Sequence, residues 1–346
     1  MAEKSFEIPL MSPIMEPMKQ DYPIAPGENL RLAFEHKKPK WMPLIDFETQ
    51  WIFPAGLKDS PPGGPAGEQG DGYDWFGTFY KYSAAQSSAT PAGNVFSEIG
   101  EWREKVRWPD LEANDWAEGK EFFPRDPSRL SATRLPTGCF ERLHAFEGFE
   151  QALMDILLEP EECKAFFERF TEHRVECIRR LQEVYHFDYL INHDDWSNKR
   201  AQFFSNETFE FTLLDTAVIT AEAIHESGAF YMPHCCGQMD VWVPYLVNDI
   251  HADALEIQTI NDIRAILDQY GSKVTPMFTL DPYIMYNPST TVEQARAYAR
   301  SVVDQFGAHT CDGSGVVVRM TGNNPETFYA AADEIYHYSG DKYANL

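Results

Sequence analysis

The clearest pattern lies in the second half of the chain, where short apolar runs alternate with longer stretches of helical period. Residues 187–193 (FDYLINH) form an apolar run of strand length. Ser205 or Asn206 caps a helix predicted to reach about Glu226, with Gly228 as its stop. The same rhythm predicts strands at 229–233, 254–258, 274–279 and 315–320, and helices at 239–249 and 262–270. Thr290 and Glu293 give a T-x-x-E capping box for a helix ending near Phe306, and Asn324-Pro325 opens the last helix. Five strand–helix units in succession predict parallel strands joined by crossover helices. An open doubly wound sheet and a (β/α)8 barrel both satisfy that pattern. No G-x-G-x-x-G or G-x-x-x-x-G-K-[ST] follows any predicted strand, which removes the usual support for a nucleotide site.

The first half is less regular. A helix is expected from about Glu28 to His36, a strand over 40–46 (KWMPLID), and another strand edge over 136–143 (PTGCFERL). Residues 54–72 are rich in proline and glycine and read as loop, and residues 88–128 carry charged and turn-forming stretches. Long insertions between the early strands of a barrel account for this half. No repeat or dividing linker is visible, so a single domain over 1–346 with an irregular extension at about 1–25 is expected.

Composition narrows the function. The chain has 346 residues, 43% hydrophobic and 24% charged, ordinary for a globular protein. Its net charge of −25 repels phosphate backbones and anionic lipid, which disfavours nucleic-acid and membrane-surface partners. The six cysteines lack the spacing of a small disulfide scaffold and read as thiols in a reducing compartment. No basic segment followed by an apolar run opens the sequence, and no run of about 18 apolar residues occurs, so the expectation is a cytoplasmic protein.

The sharpest chemical signal is MPHCCGQMD, residues 232–240, at the C-terminal end of a predicted strand, where parallel α/β folds place their chemistry. Residues two apart share a face, so His234 and Cys236 point together and Cys235 points away. An imidazole and a thiolate side by side suit zinc, which takes at least three protein ligands. Cys311 (AHTCDGSG) is the candidate third ligand, and Glu256, Asp281 and the pair Asp194/Asp195 compete with it. The same residues are also compatible with a core histidine and small core thiols. A second signal is NHDDWSNKRAQFF, residues 192–204. Two aspartates after a strand suggest a polar catalytic mouth or pairing with Lys199 or Arg200, and only one of them is expected to face the pocket. Trp196, Phe203 and Phe204 are candidate pocket walls. Gln258 and Asn261 are candidate substrate contacts, with helix capping the plainer role for Asn261.

H-x-C-G after one strand, D-D-W after the preceding strand, and the closing strand–helix unit resemble the uroporphyrinogen decarboxylase-like superfamily, over roughly residues 25–340. Within it the chain looks like the zinc-dependent, corrinoid-linked methyltransferases. The resemblance implies a (β/α)8 TIM barrel with its site at the C-terminal mouth. It also implies zinc held by His234, Cys236 and a downstream cysteine. That cysteine usually follows the last strand, where this chain reads RMTGNN, and Cys311 precedes the strand instead. The decarboxylases carry arginines after the first strand, where this chain reads KWMPLIDFETQWIF. The implied activity is transfer of a methyl group from a methyl ether, with methoxylated aromatics as candidates, to the cobalt of a corrinoid-binding partner protein. Asp194 or Asp195 would supply a proton. Methyl transfer from the corrinoid to a thiol, a metal-free decarboxylase and a non-catalytic binding subunit are the competing readings. Homo-oligomerisation is compatible with all of them.

Overall fold

A computed structural model describes residues 16, 18–59, 70–83, 88–307 and 315–345. The chain forms two units. One comprises Trp51–Arg125 and Ser131–Ala252; the other comprises the chain up to Gln50, Asp126–Leu130, and the chain from Asp253.

In the first unit, β1 (Thr49–Trp51), which begins just before the boundary, leads to a three-stranded antiparallel sheet of β2 (Gly72–Tyr73), β3 (Phe79–Ser83) and β4 (Ser88–Pro91). Then come β5 (Leu130–Leu135), β6 (Tyr189–His193) and β7 (Phe230–His234), which lie side by side in the order β1-β5-β6-β7. The β5–β6 and β6–β7 pairs are parallel. The crossover from β5 to β6 runs through helices Cys139–Glu147, Phe149–Leu158 and Pro160–Tyr185. The 26-residue helix among them buries Phe166, Phe167, Phe170, Cys177 and Leu181 along one side. Among the described residues no helix is long and apolar enough to cross a membrane.

In the second unit, β8 (Ala254–Glu256), β9 (Thr275–Thr279) and β10 (Val317–Arg319) pair in parallel, with helices Ile263–Tyr270, Val292–Phe306 and Pro325–Ala344 following them. The result is the α/β class that the alternation predicts: parallel strands and crossover helices.

Several expected boundaries move. Residues 40–46 do not form a strand. Only Leu44 bridges Val318, and a short helix, Ile45–Glu48, follows. Carboxylates turn the chain there: Glu48 accepts from Trp41 Nε1 at 2.7 Å and from Leu44 N at 3.1 Å. The helix over 205–226 is two helices, Asn206–Thr212 and Leu214–Glu226, although Ser205 does cap the first through Thr208 N. The capping box is shifted by one residue, to Thr291 and Gln294. Residues 136–143 are a turn leading into a helix, for a reason that belongs to the site.

Candidate metal centre

The site is assembled where β6 and β7 end. Their parallel register pairs Asn192 with Pro233 and His193 with His234. Register partners on neighbouring strands share a face, and the two imidazole rings stack with centroids 4.2 Å apart and planes 16° from parallel. The loops that follow are laced together. Trp196 N donates to Cys235 Sγ at 3.1 Å, Ser197 Oγ to Cys236 O at 2.7 Å, and Gln238 N to Asn198 O at 3.0 Å.

Gly237 makes this lacing possible. Its φ is +87°, and a Cβ there would lie 2.5–2.6 Å from the Asn198 backbone. Both the left-handed conformation and the close approach require glycine. A Gly237→Ala variant is therefore expected to push the two loops apart, lowering metal affinity and thermal stability together; unchanged melting and unchanged metal binding would contradict this.

The lacing points Cys235 at the neighbouring loop and turns His234 and Cys236 together, with His234 Nε2 3.4 Å from Cys236 Sγ. Asp195 Oδ1 accepts from Cys236 N at 2.6 Å and lies 3.9 Å from His234 Nε2. One ligand atom each from His193, Asp195 and His234 falls within 4.8 Å of the others. Burial, with Asp195 adding negative charge, pushes the Cys236 thiol well above its ordinary range. A dication is what would bring such a thiol to the thiolate form.

The two aspartates part company. Asp195 faces the histidine pair. Asp194 is buried and turns the other way, accepting from Phe140 N at 3.2 Å, Glu141 N at 2.9 Å and Trp196 Nε1 at 2.9 Å. It caps the helix Cys139–Glu147 from a different strand, satisfying N–H groups that no residue of the helix itself serves. Burial, and behind it the charge of Glu141, raises the Asp194 carboxyl, while those donors pull it down. Gly138 allows the approach, since a Cβ there would lie 2.3 Å from Asp194 Cβ. Gly138 N also donates to His193 O at 2.7 Å. These contacts are why residues 136–143 are turn and helix rather than strand.

The capped helix carries Glu141, whose Oε2 lies 2.9 Å from His193 Nδ1. Burial opposes charge on both groups, but their mutual attraction prevails. It holds Glu141 below the ordinary carboxylate range and raises His193 to about 9. Sequence reasoning missed Glu141 altogether and passed over His193. The available signal for His193 was its i, i+2 relation to Asp195 at a strand end. Nothing local marks Glu141, which arrives through a helix 52 residues away in sequence.

The other candidates are placed as follows. Trp196 packs on Phe209 and Trp242, Phe204 on Phe140 and Trp242, and Phe203 on Phe140 and Phe149. Phe204 and Trp196 are buried in that aromatic layer. In the second unit, Asn261 Nδ2 donates to Gln258 O at 2.9 Å, closing the turn after β8. Glu256 is ion-paired with Arg319, and Asp281 caps the helix Pro282–Met285 by accepting from Tyr283 N at 2.8 Å. Cys311 lies outside the described residues.

Comparison with known proteins adds one firm assignment. A crystal structure of IOLI protein with a binding zinc atom aligns at a TM-score of 0.28 and 12% identity, over 54% of this chain and 69% of that one, a likeness too slight to bear on fold or function. No curated protein sequence matches the chain. The family model for uroporphyrinogen decarboxylase (URO-D) matches residues 144–334, a span that includes His193, Asp194, Asp195, His234 and Cys236. That span is over half the chain, and the chain belongs to the uroporphyrinogen decarboxylase family.

Proposed function

We propose that this URO-D family member is a zinc-dependent methyltransferase, built on a (β/α)8 barrel, that moves a methyl group from a methyl ether to the cobalt of a corrinoid carried by a separate protein. The observation that carries this reading is the 3.4 Å separation of His234 Nε2 and Cys236 Sγ. Zinc bound tetrahedrally at ordinary Zn–N and Zn–S lengths sets two such donors roughly 3.5 Å apart. Asp195, with Oδ1 3.9 Å from His234 Nε2, is the third donor in this reading, and Cys311 remains a proposed ligand from the segment outside the described residues. Zinc in this place supplies Lewis acidity toward an ether oxygen.

The chain's own residues do the rest. Asp195, fixed by Cys236 N, holds its carboxylate beside the imidazole pair. Asp194 is read as support rather than as proton donor, because among the described residues its side-chain hydrogen bonds go to the helix N-terminus and the Trp196 indole. In the overall transfer the carbon–oxygen bond breaks, the methyl group takes up the electron pair of cobalt(I), and the freed oxygen takes a proton from solvent. The decarboxylase reading needs uncommitted cations. Of the three arginines near the predicted strands, Arg142 pairs with buried Asp74 and Arg319 with Glu256, while the charge of Arg134 acts on His193 and makes it the cation this alternative would use.

The test is incubation of the zinc-loaded protein with a panel of methoxylated aromatics and cobalt(I) cobalamin. Zinc-dependent appearance of methylcobalamin is expected. No product from any ether, or product undiminished after zinc is stripped, would overturn the reading.

A further inference from the structure

The stacked pair His193–His234 and the couple Glu141–His193 form a continuous line of contacts: carboxylate to imidazole at 2.9 Å, then ring to ring at 4.2 Å. The line begins further back, because Glu141 N is held by Asp194, whose approach depends on Gly138. His234 Nε2 is the nitrogen that faces Cys236 and Asp195. The stack fixes the plane in which that nitrogen's lone pair points. Two nearly parallel rings direct their lone pairs side by side rather than toward one shared point. That geometry suits one ring as ligand and the other as its support.

We propose that Glu141 and His193 are positioning residues that act through His234, setting the plane of its imidazole so that Nε2 meets the metal. The inference rests on the zinc reading of this site and adds two residues to it. Partners that orient a ligand by hydrogen bonds typically change metal affinity by about 10–100-fold when lost, and support through a ring stack is expected at the low end of that range.

The test measures zinc affinity by chelator competition, and the visible absorption of cobalt(II) substituted for zinc, in the full-length protein without any turnover. Glu141→Ala and His193→Ala are each expected to weaken zinc binding by about tenfold or more and to alter the cobalt(II) spectrum. Their thermal melts report whether the fold is kept. The double variant His193→Phe with Glu141→Gln keeps a flat ring against His234 and strands no buried carboxylate. It is expected to recover affinity to within about threefold of the wild type, with a wild-type spectrum. Loss of metal in that double variant would make His193 a ligand and overturn the positioning role. So would unchanged affinity and spectrum in both alanine variants. Either result leaves zinc bound to the wild type and the methyltransferase reading intact, whereas a wild-type protein that binds neither metal overturns both.

Discussion

A His234→Ala variant is expected to lose its zinc and its methyl transfer together while keeping its fold. The imidazole is half-buried at the end of β7 and lies close to Cys236 Sγ, Asp195 and His193 at once, at 3.4 Å, 3.9 Å and, ring to ring, 4.2 Å. Removing it deletes a ligand rather than a supporting partner. The loss in zinc affinity is therefore expected to exceed the roughly 100-fold upper end of supporting-residue effects. Methylcobalamin formation should fall to the level of the protein-free control. The strand itself is held by the register with β6 and by buried Tyr231 and Met232, so the melting temperature should change little. Inductively coupled plasma analysis of zinc per chain, beside the transfer assay, checks both halves. Full zinc occupancy in the variant would contradict the assignment.

The largest effect on stability is expected from Arg142→Ala, at about 3–5 kcal/mol, measured by urea unfolding. Arg142 and Asp74 are both fully buried, with Nη1 2.5 Å from Oδ2, and the guanidinium also donates to Asp59 O at 2.6 Å. Its carbon lies 4.4 Å from the centre of the Phe76 ring. Truncation strands a buried carboxylate without its cation, which costs far more than the pair gains over a well-packed apolar substitute. The neighbouring pair extends this to the site. Arg174 Nη1 lies 2.8 Å from Asp59 Oδ2, and its Nη2 donates to Pro136 O and Thr137 O at 2.7 Å each. Those carbonyls form the turn that delivers Gly138 to Asp194, and Thr137 sits in the left-handed region at φ +61°. Arg179, exposed and paired with Glu176 and Glu183 along one helix, is the contrast, and its alanine variant should leave the urea midpoint nearly unchanged.

What was legible in the sequence follows from what is local. The apolar runs ending at His193 and His234 are strands because they are buried on both faces, and burial of that kind writes itself as a continuous run. Alternation predicts that the H-x-C spacing puts two donors on one side, but β7 ends at His234, and contacts between the two loops are what turn Cys236 beside it. Residues 136–143 have the pattern of a strand edge but fold as turn and helix, because the helix is capped by Asp194 from beyond the end of β6. Residues 40–46 were misread because Glu48 and Asp46 bind backbone N–H groups that a strand would have given to its neighbours. Glu141 escaped notice because its partner, His193, becomes a neighbour only once the strands are in register. Alternation predicts that Asp194 and Asp195 face opposite sides, and the helix that Asp194 caps sets which side Asp194 takes.

Whether His234 and Cys236 hold a metal ion is read from X-ray absorption at the zinc edge of the purified wild-type protein. Close to one zinc per chain is expected, with at least one sulfur at about 2.3 Å and nitrogen or oxygen ligands at about 2.0–2.2 Å. The sulfur contribution should vanish or diminish in Cys236→Ser. Zinc bound with only oxygen and nitrogen neighbours in the wild type, or the same sulfur signal in Cys236→Ser, would contradict that ligation.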